Sequence, residues 1–236
     1  MQPLLPVLAT LAGYLVGSLS FAVIVSRALG LADPRTYGSG NPGATNVLRS
    51  GSKAAAVLTL LLDVLKGFVP VLLVKLYGPA LALGEGTAAA VGLAAFIGHL
   101  WPVFFRFNGG KGVATAAGVL LGLNPWLGVA TLLTWLIVAA FFRYSSLASI
   151  VSAVFAPFYQ MLVWDSGPAA GAMTLMALLL IWRHSGNIKK LFHGTESRLF
   201  EKPGSGSGSA GKGAGLQPHS SKPRGPRRGQ RTGAKP

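Results

Sequence analysis

AAAVLTLLLDVLKGFVPVLLVKL, residues 54–76, carries only three charges in its whole length, at Asp63, Lys66 and Lys75. A helix needs about 20 mainly apolar residues to cross the hydrocarbon core of a bilayer, and this run supplies them. Comparable runs extend on both sides of it: Pro6 to Val25, Thr87 to Phe105, Pro125 to Phe142, Leu147 to Trp164 and Pro168 to Trp182. Val113 to Leu123 is apolar but short, and reads as a partial or steeply packed span. Together these seven segments predict an all-α integral membrane protein with about seven transmembrane helices. Small residues are dense in them (Ala88 to Ala90, Ala114 to Gly118), which favours close helix packing in lipid.

The chain has 236 residues, 51% hydrophobic and 11% charged, but the average hides two populations. Residues 1–200 alternate apolar runs with short polar connections and read as one transmembrane domain. Residues 201–236 are Gly, Ser, Pro, Lys and Arg with almost no apolar side chain, and hold eight of the 21 basic residues. Such a tail buries too little apolar area to offset its ordering entropy, so the composition predicts a disordered basic cytoplasmic extension. Its charge suits anionic lipid head groups, whereas nucleic acid is not expected as a partner. Cysteine is absent, which excludes disulfides and thiolate–metal sites. The first apolar run lacks a basic n-region and a cleavage site, and so reads as a retained helix.

Orientation follows from the basic residues of the connections. With the N-terminus outside, the cytoplasmic loops hold Arg27, Arg35, Arg49 and Lys53, then Arg106 and Lys111, then Arg143. The segment after the last span adds Arg183, Lys189, Lys190 and Arg198. The opposite loops hold only Lys75, Glu85 and Asp165. N-terminus out and C-terminus cytoplasmic is the expected topology, provided that the short fourth segment crosses.

Three polar segments then fall on one side. The first, Tyr37 to Arg49, places Gly38, Gly40 and Gly43 close together with Pro42. Glycines in a tight turn let successive N–H groups point at one anion. Ser39, Asn41, Thr45 and Asn46 add neutral donors, and Arg49 adds a planar cation suited to phosphate. The second, His99 to Thr115, contains Gly109-Gly110-Lys111-Gly112 just before a helix start. It lacks the spacing of a nucleotide-binding P-loop, but combines glycine amides, a cation and a helix N-terminus. His99 by itself reads as an interfacial packing residue. The third, Arg183 to Arg198, begins where the last span ends; His184 and Asn187 lie three apart, placing both toward one groove on a helical turn. Histidine is a natural proton acceptor near neutral pH. Glu196 reads as a base or as an ion-pair partner for a nearby Lys or Arg, the structural role being favoured. Asp63 and Lys66, three apart in mid-span, read as a structural pair because an unpaired charge there costs about 2.5–3.5 kcal/mol.

The combination resembles the bacterial glycerol-3-phosphate acyltransferases that take acyl phosphate as donor. The resemblance covers about residues 1–200 and rests on GSGNPGATNVLR (Gly38 to Arg49), GHLWPVFFRFNGGKG (Gly98 to Gly112) and RHSGN with the later Thr195-Glu196. It implies acyl transfer to the 1-hydroxyl of glycerol 3-phosphate, giving lysophosphatidic acid and phosphate at the inner membrane. By that likeness Ser39, Arg49, Lys111, His184 and Asn187 are the catalytic set. Phosphate binding is assigned to the first loop (Gly38, Gly40, Asn41, Gly43, Thr45, Asn46) and to Gly109, Gly110, Gly112 and Thr115, with Glu196 structural. The chain departs from the family pattern at Ser185, where a basic residue is common, and at Lys190, where arginine is usual.

The chemistry fits these residues. Acyl phosphate is already activated, so no covalent acyl-enzyme is expected; the protein must hold two anions together and stabilise a developing oxyanion. Either His184 or a substrate phosphate takes the hydroxyl proton. A His-x4-Asp dyad is excluded, since Phe104, Lys189, Arg198 and Arg224 stand five residues after the four histidines. No carboxylate cluster suggests a metal, and no cofactor is expected. Transport of a phosphorylated solute is disfavoured because none of the three segments recurs in a second half. A lipid-binding scaffold without chemistry is the remaining alternative.

Overall fold

The computed structural model describes residues 4–164 and 166–199. The tail, residues 201–236, lies outside the described residues. The described chain is helical, with no strand: α1 (Leu4–Gly17), α2 (Phe21–Ala28), α3 (Ala44–Leu48), α4 (Lys53–Tyr77), α5 (Glu85–Leu100), α6 (Val113–Leu123), α7 (Pro125–Phe142), α8 (Ser145–Val163), α9 (Pro168–Arg183) and α10 (Ser185–Phe192). Short 3-10 turns follow α4 and α5, at Pro79–Leu81 and Val103–Phe105.

All seven apolar runs are helical, but not all are full-length spans. Four helical segments are long and apolar enough to cross a bilayer: Lys53–Tyr77, Glu85–Phe105, Pro125–Phe142 and Ser145–Val163. The run from Pro6 to Val25 is broken, with α1 and α2 meeting at 43°, so it supplies a fifth only as a bent pair. Helices α6 and α9 are shorter apolar helices. The seven apolar segments are thus long, bent and short helices, the short fourth one being α6.

The break has a visible support. Lys66 Nζ donates to Leu19 O at 2.7 Å, satisfying a carbonyl freed where α1 gives way to α2. The same ammonium lies 2.8 Å from Asp63 Oδ1, and both side chains are buried. The mid-span pair is therefore a brace between α4 and the bend.

Helices approach through small residues. A Cβ on Gly118 of α6 would overlap the Val64 carbonyl of α4, and one on Gly67 of α4 would overlap the Thr115 carbonyl of α6. Backbone contact of this kind maximises dispersion where lipid supplies no hydrophobic drive. It also explains how the 11-residue α6 is held: Thr115, Gly118, Val119 and Gly122 are all buried. Around it Val71, Val91, Phe96 and Leu100 form the main core with Met176 and Leu180 of α9. The outward faces carry the large apolar side chains, Leu60, Leu133, Ile137 and Phe141 among them, as a lipid-facing surface requires.

Candidate active site

The first loop is organised by one side chain. Asn46, buried on α3, donates from Nδ2 to Pro34 O (2.6 Å) and Tyr37 O (3.2 Å). Its Oδ1 accepts from Ser39 N (3.0 Å) and Arg49 Nη1 (3.5 Å). Gly38 turns through φ +60°, and a Cβ there would collide with Asn46 Oδ1. Gly40 N and Gly43 N donate to Tyr37 O and Asn41 O. The amides of Ser39, Gly40 and Gly43 are thus engaged within the loop, which corrects the expectation that they form an open anion nest. Asn46 likewise shapes the loop rather than facing a ligand. What the loop exposes is Ser39, Thr45 and Arg49, with Asn41 half-buried.

The second loop is clamped from α9. Arg183 donates from Nη2 to Gly109 O (2.8 Å) and Gly110 O (2.9 Å), and from Nε to Gly110 O (3.1 Å). Gly110 N donates to His99 O at 3.1 Å, so this amide too is engaged internally. Gly109 and Gly110 are buried, and the Pro42 carbonyl lies 3.0 Å from where a Cβ on Gly110 would stand, so the first two loops touch. Gly112 adopts φ +81° to start α6. Thr115 points away from this loop: fully buried, its hydroxyl meets His99 Nδ1 at 3.0 Å. Placing Thr115 among phosphate ligands is corrected, because α6 turns that face toward α4 and α5.

The third segment closes the arrangement. Lys111 Nζ donates to Asn187 Oδ1, Asn187 Nδ2 donates to Glu196 Oε1 (2.6 Å), and Ser146 Oγ donates to the same oxygen (2.7 Å). His184 sits between α9 and α10, buried, with Nδ1 donating to Leu180 O at 2.8 Å. A carbonyl only accepts, so the proton is on Nδ1 and Nε2 keeps its lone pair. Burial pushes the His184 imidazole down to about 4, so it is neutral at physiological pH. Burial also lowers the Lys111 ammonium to about 8; Glu196 opposes this, while Lys190, Arg183 and Arg49 press further down.

Ser39, Arg49, Lys111, His184 and Asn187 are thus carried by segments in mutual contact, with Lys111 at their centre. Sequence reading left out Arg183 as a loop clamp; its only signal was a cation directly before His184. Among the described residues no group of three or more His, Asp or Glu is arranged to hold a metal.

A helical membrane protein whose polar connections gather cations and a neutral histidine around one half-buried lysine belongs to the class that handles anionic ligands. Comparison with known proteins narrows this. The chain belongs to the glycerol-3-phosphate acyltransferase family, whose sequence model matches residues 7–194. It is 64% identical over 196 residues to the glycerol-3-phosphate acyltransferase of Ralstonia nicotianae, covering 83% of this chain and 95% of that one. It is 63% identical over 207 residues to that of Albidiferax ferrireducens, covering 86% and 92%. A crystal structure of PlsY (YgiH), an integral membrane glycerol 3-phosphate acyltransferase, in its glycerol 3-phosphate form, superposes with a TM-score of 0.77 at 38% identity, covering 82% of this chain and 95% of that one. Its lysophosphatidic acid form gives 0.74.

Proposed function

We propose that this protein transfers a fatty acyl group from acyl phosphate to the 1-hydroxyl of sn-glycerol 3-phosphate, releasing lysophosphatidic acid and inorganic phosphate. The observation that carries the reading is the contact of Lys111 with Asn187, beside Arg49 and the Arg183-clamped glycines. Two phosphorylated reactants repel each other, and fixed cations offset that repulsion while holding hydroxyl and carbonyl together. Arg49, Ser39 and Lys111 hold the phosphates; Asn187 orients Lys111 and Glu196 anchors Asn187.

In the reaction the glycerol oxygen attacks the acyl carbonyl carbon, the carbonyl oxygen takes up negative charge beside Lys111, and the bond to phosphate oxygen then breaks. The hydroxyl proton has two acceptors in reach, the Nε2 lone pair of His184 and a phosphate oxygen. The second ionisation of a phosphate lies near about 6 and that of His184 at about 4, so the phosphate is the stronger base and His184 positions the hydroxyl. No covalent acyl-enzyme forms.

Seven crossings, with the N-terminus outside and the active site on the cytoplasmic face, are part of this reading. The short α6 counts as a crossing: Lys111 stands just before its start, while Leu123 O at its end accepts from Lys75 Nζ (2.6 Å) near the far end of α4. The basic loops then share the side of the bacterial inner membrane that attracts them. The basic composition of residues 201–236 suits anionic lipid head groups, and no nucleic acid takes part.

The test is turnover by purified protein with labelled glycerol 3-phosphate. Lysophosphatidic acid and phosphate are expected with acyl phosphate, and none with acyl-CoA or acyl carrier protein. Turnover with acyl-CoA alone would refute the donor assignment.

A further inference from the structure

Beside the catalytic cluster lies a second cationic feature that the proposed reaction does not use. A cleft of about 750 Å³ opens between the end of α2 and the turn after α5, lined by Arg27, Arg35, Arg106, Asp33, Phe104 and Phe105. Asp33 is taken up by Arg35, to which it is bound at 2.6 Å and 3.0 Å, and that guanidinium holds its carboxyl below the usual range. The side chains of Arg27 and Arg106 are exposed and make no hydrogen bond or ion pair with the described residues. The cleft therefore keeps two unneutralised guanidinium groups.

Arg106 reaches it at a cost. Both Arg106 (φ 54°) and Phe107 (φ 58°) hold left-handed backbone that non-glycine residues rarely adopt. Two successive residues of this kind persist only where their surroundings impose the conformation, and such strain gathers at ligand clamps. The apolar rim has its own meaning. Leu29, Phe104 and Phe107 are exposed at helix ends, where the bilayer surface meets water. A soluble anion does not need a greasy rim, whereas an amphiphile does.

We propose that this cleft binds the head group of an anionic phospholipid, its phosphate between Arg27 and Arg106 and its chains along Phe104 and Phe107. Guanidinium forks suit phosphate oxygens, and anionic leaflets draw basic residues at their surface. The assignment rests on the chain lying in a bilayer and is independent of the acyl donor. It adjoins the active site through the backbone: Phe107 and Asn108 lead directly into Gly109, and Pro34, next to Asp33, carries a carbonyl held by Asn46.

The experiment is native mass spectrometry of the full chain released from detergent, titrated with phosphatidylglycerol and, separately, phosphatidylcholine. Wild type is expected to retain phosphatidylglycerol selectively. The double variant Arg27→Gln/Arg106→Gln is expected to bind it about thirtyfold more weakly. Lys53→Gln/Lys189→Gln, which removes the same charge from exposed positions elsewhere, is expected to bind as wild type does. Acyl transfer in lipid-free detergent, unchanged in both double variants, certifies their fold. Equal weakening in both would mean general surface attraction and overturn the proposal. So would displacement of the lipid by millimolar inorganic phosphate, which marks a soluble-anion site. A raised KM for acyl phosphate in Arg27→Gln/Arg106→Gln, with lipid retention intact, would assign the cleft to the donor and overturn it as well.

Discussion

Lys111 Nζ donates to Asn187 Oδ1 across 76 positions of sequence, tying the glycine loop before α6 to the first turn of α10. That bond fixes where the cation points. Lys111→Ala is expected to lower kcat/KM about ten- to a hundredfold, mainly through KM for the phosphorylated substrate, since a charge-assisted hydrogen bond contributes about 1.5–3 kcal/mol. Asn187→Ala acts by releasing Lys111, so the double variant should lose little more than Lys111→Ala alone. Additive losses in a double-mutant cycle would show that the two side chains act separately.

The Lys111 ammonium titrates at about 8 because burial disfavours its charge. Its folded value is below the ordinary one, so it is protonated below about pH 8 and loses its proton above. A phosphomonoester is already fully ionised across that range, which leaves the protein as the group that changes. We expect kcat/KM to fall as pH rises through about 8. Lys111→Arg, whose charge does not titrate there, should abolish the alkaline fall; a fall at the same pH in that variant would point to another group.

Arg183 binds two carbonyls through a planar fork, a geometry that lysine lacks. Arg183→Lys should therefore keep the membrane fold but loosen Gly109 and Gly110. The expected result is kcat reduced at least about tenfold, because catalytic groups misplaced by an ångström lose rate steeply. A thermal unfolding midpoint near that of wild type would exclude global damage. Unchanged kcat would remove Arg183 as a positioning residue.

How far these features were legible in the sequence depends on the length scale of the interaction. The apolar runs announced every long helix, because burial in lipid is a property of single segments. Asp63 and Lys66 announced a pair, because they share a helix face. The break at Leu19 was hidden: it is stabilised by a lysine 47 positions away, and the run from Pro6 to Val25 is apolar enough to read as one span despite Ser18 and Ser20. The glycines signalled tight turns correctly, but not which groups would satisfy the amides. The Tyr37 and Asn41 carbonyls take that role in one loop, with Asn46 Oδ1 holding the Ser39 amide between them, and the His99 carbonyl takes it in the other; none of these pairings is visible as a pattern. Thr115 looked like part of a phosphate site only because it follows a glycine loop in sequence.

The brace between α4 and the α1–α2 break yields a stability prediction. Asp63→Asn leaves Lys66 buried without its counter-ion, and Lys66→Met leaves Asp63 and the Leu19 carbonyl unpaired. Breaking a buried pair from one side costs about 3–5 kcal/mol, whereas replacing both partners by apolar groups is far milder. Each single variant should unfold at markedly lower temperature in detergent, and Asp63→Leu/Lys66→Met should recover part of the loss. No recovery would mean that the contact to Leu19, not the ion pair, carries the stability.

Glu196 separates a structural from an electrostatic role most sharply. It accepts from Asn187 and Ser146, and its charge is also the largest influence holding the Lys111 ammonium up against burial. Glu196→Gln keeps a carbonyl for one of those donors but removes the charge. Lys111 should then titrate below about 8, and the alkaline fall of kcat/KM should move to lower pH. The same substitution also withdraws a raising influence on His184, but that group lies at about 4 and becomes still harder to protonate, so nothing new enters the neutral range. Ser146→Ala removes a hydrogen bond to the carboxylate and leaves its charge, so its alkaline limb should stay near that of wild type. Kinetic pH profiles of the two variants decide the matter: if both shift alike, or neither shifts, Glu196 acts through packing alone and Lys111 is not under its electrostatic control.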